Sequence, residues 1–102
     1  MSGERVMTLH QLRIFESVAR HLNVTRASKE LHMSQPAVSQ QLKFLERQFR
    51  ERLIVRTSQG VKLTQQGQAF LDAIRPIIAQ ADKIETTFRI KSNAKKRVCS
   101  GG

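Results

Sequence analysis

Apolar residues in the first quarter of the chain recur at spacings of three and four, the period of an amphipathic helix. Thr8 and Gln11 have the spacing of a capping box. Met7 and Leu12 are placed as the hydrophobic staple that accompanies such a helix start. The pattern therefore predicts a first helix over about Leu9 to Leu22, with the following apolar stripe: Leu9, Leu12, Phe15, Val18, Ala19 and Leu22.

Two further helices are predicted before residue 50. Thr25 is a candidate N-cap for a short second helix, in which Ala27 and Leu31 lie one turn apart on the buried side. Ser34 is a strong N-cap candidate for a third helix from about Gln35, because a proline in the second position is tolerated in a first turn. The third helix has this inward stripe: Val38, Leu42, Leu45 and Phe49.

The pattern changes character after residue 51. The first strand is predicted at the strand formers Leu53, Ile54 and Val55. Residues 58–60, Ser-Gln-Gly, favour a turn, and a second short strand is predicted over 61–63. We therefore predict a two-stranded hairpin. Thr64 is then placed to cap a last helix to about Ile90, about 39 Å long at 1.5 Å per residue.

The last helix repeats apolar residues at alternating spacings of four and three, as the seam of a coiled coil does. A helix this long on so small a domain needs a partner to cover its stripe, so we expect a dimer. Pro76 removes one helical hydrogen bond and is expected to kink or loosen the helix. The predicted dimer interface consists of Phe70, Ile74, Ile77, Ala81, Ile84 and Phe88.

These elements predict a mainly α fold: a winged helix-turn-helix of three helices plus a two-stranded wing, followed by a long dimerisation helix. We expect three units along the chain. Residues 1–64 are the winged helix-turn-helix domain, residues 65–90 the linker and dimerisation helix, and residues 91–102 a flexible basic tail.

The charge of the chain indicates a polyanionic partner. Lys and Arg number 18 against 8 Asp and Glu, so the formal net charge is +10 and the sequence pI about 11.2. Nucleic acid is the favoured partner, and an anionic membrane surface is the minor alternative. The apolar runs of the chain are too short to span a bilayer. A single cysteine, Cys99, and no signal peptide are typical of a reducing cytoplasm.

In a winged helix-turn-helix the third helix enters the major groove of DNA. Gln40 has the chemistry to pair with adenine, and Lys43 or Arg47 to reach guanine or phosphate. Pro36 and Ala37 offer apolar surface to a thymine methyl group. The free N–H groups of the first turn suit a phosphate. The candidate DNA-binding residues of this helix are Ser34, Gln35, Pro36, Ala37, Ser39, Gln40, Lys43 and Arg47.

Cationic residues also gather around the predicted hairpin. Arg50, Arg52, Arg56 and Lys62 cluster there. A wing is able to place an arginine in or beside a narrow minor groove, and Arg56 is our candidate. The candidate DNA-binding residues of the second helix and wing are Thr25, Arg26, Arg52, Arg56, Thr57 and Lys62.

Several segments closely resemble the N-terminal domain of the LysR family of bacterial regulators. They are Leu12 to Val18, Arg26-Ala27-Ser28 with Leu31, and Ser34-Gln35-Pro36-Ala37-Val38-Ser39-Gln40-Gln41-Leu42 with Leu45-Glu46. The match continues in register through Leu53 to Val61, Leu63-Thr64 and Gly67. The resemblance spans about Leu9 to Phe88, and the Ser-Gln-Pro-Ala-Val-Ser segment with its correctly spaced Leu-Glu and Leu-Thr pairs is a specific signal.

The resemblance implies a sequence-specific transcription factor that binds a double-stranded DNA operator with dyad symmetry. It implies a homodimer through the long fourth helix, a tetramer for the full-length protein, and a bacterial, nucleoid-associated location. Family members usually carry a further C-terminal domain for a small-molecule co-inducer. We therefore expect this chain to be part of a longer protein and to bind no cofactor itself.

Three residues depart from the family pattern. Arg50 stands where a glycine is usual before the wing, and is expected to alter the turn and add charge. Ile54 replaces the usual phenylalanine. Gln59 replaces a frequent second wing arginine, which weakens the case for a wing with two arginines.

Other function classes are disfavoured by the residues present. His10, His21 and His32 are too far apart for a helical metal pair, and no Cys-x-x-Cys motif accompanies them. No activated nucleophile, carboxylate pair or phosphate-binding glycine loop indicates an enzyme. The alternative to a DNA reader is an assembly module, whose coiled coil holds partners together and whose charge is incidental.

Overall fold

The computed structural model describes residues 7–101, with side chains for residues 7–89. Three helices come first, a two-stranded antiparallel sheet follows, and a long helix completes the described part of the chain. This order confirms the predicted mainly helical winged helix-turn-helix. The elements are α1 (Leu9–His21), α2 (Val24–Leu31), α3 (Gln35–Phe49), β1 (Ile54–Thr57), β2 (Gly60–Leu63) and α4 (Gln65–Gly101).

The start of α1 has the predicted capping box. The backbone N–H of Gln11 donates to Thr8 Oγ1 at 3.1 Å, and the backbone N–H of Thr8 donates to Gln11 Oε1 at 3.1 Å. Met7 packs against the core as the predicted staple requires. Below it, Ile14, Phe15 and other side chains of α1 are fully buried, so this helix lies at the centre of the core.

The start of α2 corrects one prediction. Asn23, not Thr25, is the N-cap, and its side chain accepts the backbone N–H of Arg26 at 2.9 Å. Thr25 lies inside the first turn, where its carbonyl accepts a hydrogen bond from the Ser28 hydroxyl. Both residue types cap helices well, but the earlier start buries Val24 in the core. Burial therefore decided between two acceptable caps.

Ser34 caps α3 as predicted, and its hydroxyl accepts the backbone N–H of Ala37 at 3.2 Å. Val38, Leu42 and Leu45 are buried. Phe49 departs from the predicted stripe, because 43% of its surface remains exposed. It lies in the last turn of α3, at the edge of the core, where its ring packs against Phe70 with centroids 5.4 Å apart.

The hairpin forms where the pattern predicted it. Ile54 pairs with Leu63 and Thr57 with Gly60 in an antiparallel register. The backbone N–H of Val61 donates to the carbonyl of Leu22 at 3.1 Å, which ties β2 to the end of α1. The wing is therefore attached to the helical core through backbone as well as side-chain contacts.

Thr64 caps α4 as predicted, since its Oγ1 accepts the backbone N–H of Gly67 at 2.9 Å. The helix continues through Pro76 to Gly101, beyond the predicted end at Ile90. The predicted flexible tail, residues 91–102, lies outside the residues whose side chains are described. Ion pairs hold α4 against α1: Arg13 Nη1 lies 2.6 Å from Asp82 Oδ1 and Arg13 Nη2 3.6 Å from Glu85 Oε1.

The residues of the predicted dimer seam lie in two different environments in the structure. Ile74 is only 2% exposed and is buried in the core of its own chain. Phe70 is half-buried and packs edge-on against Phe15, with centroids 5.0 Å apart. The first turns of α4 cover α1, so these two residues belong to the intramolecular core. The remaining members of the seam lie further along: Ile77, Ile84 and Phe88 are exposed and Ala81 is half-buried.

Candidate nucleic-acid interface

One side of α3 is turned away from the core and carries uncharged hydrogen-bonding groups and cations. Its rotation is fixed by the buried stripe and by Gln11, whose Nε2 donates to Gln41 Oε1 at 3.1 Å. This contact anchors Gln41 to α1 and leaves its neighbour Gln40 exposed. The exposed residues predicted to bind DNA on this helix are Ser34, Gln35, Pro36, Gln40, Lys43 and Arg47, while Ala37 and Ser39 are half-buried.

The first turn of α3 offers fewer free donors than expected. Ser34 Oγ already accepts the N–H of Ala37, and Pro36 has no N–H to donate. The capacity to bind a phosphate through backbone N–H groups is therefore reduced. What this turn presents is chiefly apolar Pro36 surface and the amide of Gln35, both exposed.

The turn between α2 and α3 is short and held by backbone hydrogen bonds. His32 has φ 57° and ψ 44°, the left-handed conformation that ends a helix. The N–H of Met33 donates to the carbonyl of Ser28 at 2.9 Å. Thr25 and Arg26 are exposed on the first turn of α2. The two helices therefore have the connection that a helix-turn-helix requires.

Glu46 joins the wing to α3, and the sequence reasoning did not assign it this role. Its Oε2 accepts the backbone N–H groups of Leu53 at 2.8 Å and Ile54 at 3.2 Å. Both of these residues are buried, so the carboxylate satisfies donors that are shielded from water. In the sequence, Glu46 stands out only through the Leu45-Glu46 pair of the family resemblance, because nothing local indicates a partner seven residues away.

Arg56 makes a second link between wing and α3. Its Nη2 donates to Ser39 Oγ at 2.6 Å. The side chain predicted to reach a minor groove is thus directed at α3 in this structure. Ser39, predicted to bind DNA from the helix, and Arg56, predicted to bind it from the wing, are therefore in contact with each other.

The other predicted wing residues have different roles. Thr57 Oγ1 accepts the backbone N–H of Gln59 at 3.2 Å and donates to the Gly60 carbonyl at 3.3 Å, so its hydroxyl shapes the turn. Arg52 and Lys62 are exposed beside the hairpin. An open groove at the end of α3 is lined by Lys43, Glu46, Arg47, Arg50, Glu51 and Arg52.

Glu16 on α1 and Glu30 on α2 both pair with Arg20 of α1. Glu30 accepts hydrogen bonds from the Ser17 hydroxyl at 2.6 Å and from Arg20, and lies 2.9 Å from His21. The Ser17 hydrogen bond, followed by those from Arg20 and His21, lowers the pKa of Glu30 to about 2. Hydrogen bonds to Glu16 and Glu30 raise the pKa of Arg20. Glu30 thus links α2 to α1 through Ser17, Arg20 and His21.

Within residues 7–89 there is no group of three or more His, Cys, Asp or Glu side chains able to hold a metal ion. Among the helices of the described residues, none is both long and apolar enough to cross a membrane.

The fold and this surface define a winged helix-turn-helix domain of the class found in bacterial transcription regulators. The family model of the bacterial regulatory helix-turn-helix proteins of the lysR family matches residues 9–68, which is more than half of the chain. The chain therefore belongs to the lysR family. This confirms the resemblance described above.

Curated relatives are transcriptional regulators. The chain is 43% identical over 81 residues to the HTH-type transcriptional activator AmpR of Providencia stuartii, covering 78% of this chain and 26% of that protein. It is 37% identical over 94 residues to the glycine cleavage system transcriptional activator of Escherichia coli (strain K12), covering 92% of this chain and 30% of that protein. The chain thus spans about a quarter to a third of the length of these relatives.

Solved structures of similar proteins include complexes with DNA. The CbnR_DBD-DNA complex matches with a TM-score of 0.73 and 35% identity, covering 84% of this chain and 99% of that one. The BenM_DBD/catB site 1 DNA complex matches with a TM-score of 0.75 and 32% identity, covering 84% and 98%.

Proposed function

We propose that this chain is the sequence-specific, double-stranded DNA reader of a bacterial LysR-type transcriptional regulator. The observation that carries the proposal is the exposed face of α3, where Gln40, Lys43 and Arg47 project from a helix whose orientation the core fixes. Amide and cationic side chains of this kind pair with purine edges and phosphates. Complexes of similar domains with DNA support the same use of the fold.

The proposed assembly is a homodimer joined through α4. Ile77, Ile84 and Phe88 are each about half exposed or more, and Ala81 lies between them. Their spacing follows one face of the helix, which supports pairing with a second copy. In a helix-turn-helix dimer the two recognition helices lie about 34 Å apart and enter successive major grooves. The expected operator therefore has dyad symmetry, with the wings beside the minor groove.

Further properties belong to the longer protein. We infer a C-terminal domain that binds a small-molecule co-inducer and a tetrameric full-length regulator, because the relatives extend well beyond the matched region. We also infer a cytoplasmic, nucleoid-associated location, which a DNA-binding regulator of bacteria requires. No cofactor is proposed for the present chain.

Fluorescence anisotropy tests the proposed DNA binding. The chain is titrated with a duplex selected by it from a random library and with a scrambled duplex, at several salt concentrations. We expect a preference of about a hundredfold or more for the selected duplex and a steep loss of affinity with salt. A Gln40→Ala/Lys43→Ala variant should lose most of this preference.

A matched variant on α4 distinguishes sequence-specific reading by α3 from a general effect of charge on DNA binding. Gln80→Ala/Lys83→Ala removes the same residue types from exposed positions of another element, and should retain the preference. Equal, salt-sensitive binding of the unmodified chain to every duplex would contradict sequence-specific reading. That result would favour an assembly module whose charge attracts nucleic acid without discrimination.

A further inference from the structure

In the contact between Ser39 and Arg56, the donor and acceptor roles are fixed by the chemistry of the two side chains. Arginine has five N–H donors and no acceptor, so Ser39 Oγ is necessarily the acceptor in the 2.6 Å hydrogen bond from Arg56 Nη2. A serine hydroxyl carries one proton and two lone pairs. With a lone pair directed at the guanidinium, the proton points away from the wing. Arg56 thereby restricts the directions in which Ser39 is able to donate.

The position of Ser39 makes this restriction relevant to DNA. Ser39 lies one residue before Gln40 on α3 and is half-buried, while Arg56 is exposed on β1. Glu46 holds the start of β1 against the same helix through two backbone N–H groups. The wing is therefore attached to α3 at two places, so the guanidinium is held at a defined place beside the helix.

We propose that Arg56 is a positioning residue that makes the Ser39 hydroxyl a hydrogen-bond donor toward a base edge. This inference rests on the proposed function. An oriented donor requires an acceptor on the facing base, which guanine offers at O6 and N7, adenine at N7 and thymine at O4. Cytosine, which presents its N4 amino donor in the major groove, is disfavoured. The wing thus contributes to base selection at a position it does not itself contact.

The test compares base preferences selected from a random duplex library by the unmodified chain and by Ser39→Ala, Arg56→Ala and the double variant. Ser39→Ala should relax the preference at one base pair of each half-site, and Arg56→Ala should relax the same base pair. The affinity losses of the two single variants should not multiply. We expect the double variant to bind about fivefold or more tightly than their product predicts, as for directly interacting side chains.

A control removes a neighbouring arginine. Arg52 is exposed next to the hairpin, so Arg52→Ala should weaken binding to all duplexes without relaxing that base pair, and its loss should multiply with that of Ser39→Ala. Ser39→Thr keeps a hydroxyl and should retain the preference. Where the selected base is a purine read at N7, its 7-deaza analogue removes that acceptor. This replacement should weaken DNA binding by the unmodified chain but not by Ser39→Ala.

Two results would overturn the inference. One is an Arg56→Ala variant that keeps the full preference at the base pair relaxed by Ser39→Ala. The other is a lower melting temperature for both single variants with unchanged base preferences, which would assign the contact to fold stability alone. If the unmodified chain selects no sequence, the proposed function itself fails, and the inference fails with it.

Discussion

At the residue scale, Arg50 adopts a backbone conformation that its side chain disfavours, as Leu22 and His32 do at the ends of the first two helices. It ends α3 with φ 54° and ψ 40°, in the left-handed region. Residues with a Cβ are strained there, and glycine is the usual choice at a helix end of this kind. The turn expected where the family has glycine is thus made by an arginine, at a cost in stability.

Replacing Arg50 by glycine should therefore stabilise the fold. We expect the free energy of unfolding to rise by about 1 kcal/mol, because the strain of a Cβ in the left-handed region is removed. Urea unfolding followed by circular dichroism measures the change. Arg52→Gly is the control, since Arg52 is not among the described residues with positive φ, and it should not stabilise. A loss of stability in Arg50→Gly would show that the side chain contributes more than its strain costs.

Glu30 predicts a pH dependence of stability. Its pKa is about 2 in the folded chain, against an ordinary value of 4.5, mainly because the Ser17 hydroxyl donates to it. A lowered folded pKa means that the stabilising contribution is present above pH 4.5 and is lost as pH falls from about 4.5 to about 2. Because Glu30 is 43% exposed, the effect should be modest.

The glutamine variant isolates this contribution. The difference in unfolding free energy between the unmodified chain and Glu30→Gln should be largest near neutral pH and shrink as pH falls below 4.5. Urea unfolding at a series of pH values measures it, and other carboxylates cancel in the difference. A difference that stays constant down to pH 2.5 would be inconsistent with ionisation-linked pairing.

At the element scale, Gly67 determines how closely α4 approaches the wing. A Cβ at this position would lie 1.9 Å from the carbonyl oxygen of Leu53, so the helix backbone meets the backbone just before β1 at a place where only glycine fits. The adjacent N-cap Thr64 also donates its hydroxyl to the carbonyl of Arg52. The first turn of α4 and the start of β1 are therefore packed as one unit.

Gly67→Ala should destabilise the fold although alanine favours helices. Helix propensity alone would raise the stability by about 1 kcal/mol, whereas the clash with backbone atoms should lower it by about 1–3 kcal/mol. Thermal unfolding gives the sign directly. Gln66→Ala, at an exposed neighbouring position of the same helix, should be neutral or stabilising. A higher melting temperature for Gly67→Ala would refute the close packing.

At the scale of the whole molecule, α4 is both part of the core and the proposed dimer contact. Leu71, Ile74 and Ile78 are buried against the helices of the domain, while Ile77, one residue before Ile78, is 48% exposed. These buried contacts set the direction of α4, and Arg13 of α1 adds an ion pair with an aspartate further along the helix. In a dimer, this direction would set the distance between the two copies of α3.

Ile77→Asp should separate the dimer without unfolding the chain. A charge at an exposed seam position is easily solvated in the monomer but disfavoured in a paired apolar interface. Light scattering should report the monomer mass, and affinity for the selected duplex should fall more than affinity for the scrambled one. Gln80→Asp, an exposed position of the same helix, serves as control. An unchanged dimer mass for Ile77→Asp would place the interface elsewhere.

Much of the local structure was predictable because its causes are local. Thr8, Ser34 and Thr64 cap their helices as their spacing indicated, since a cap involves residues only three positions apart. The second helix was misplaced by two residues because Asn23 and Thr25 are both good caps. The burial of a valine decided between them, and burial depends on other helices.

The candidate site likewise has a part that the sequence alone predicted and a part that it did not. The exposed face of α3 was determined by the sequence alone, because helical periodicity separates Gln40 and Lys43 from the apolar stripe. Phe70 and Ile74, which the sequence predicted for a dimer seam, pack against the core of their own chain. The sequence does not separate the two cases, because a stripe that packs within a chain and one that packs between chains have the same period. Only the tertiary structure tells which surface covers it. The contacts of Glu46 and of Arg56 likewise join residues 7 to 17 positions apart, and such pairs become neighbours only when helix and wing pack together.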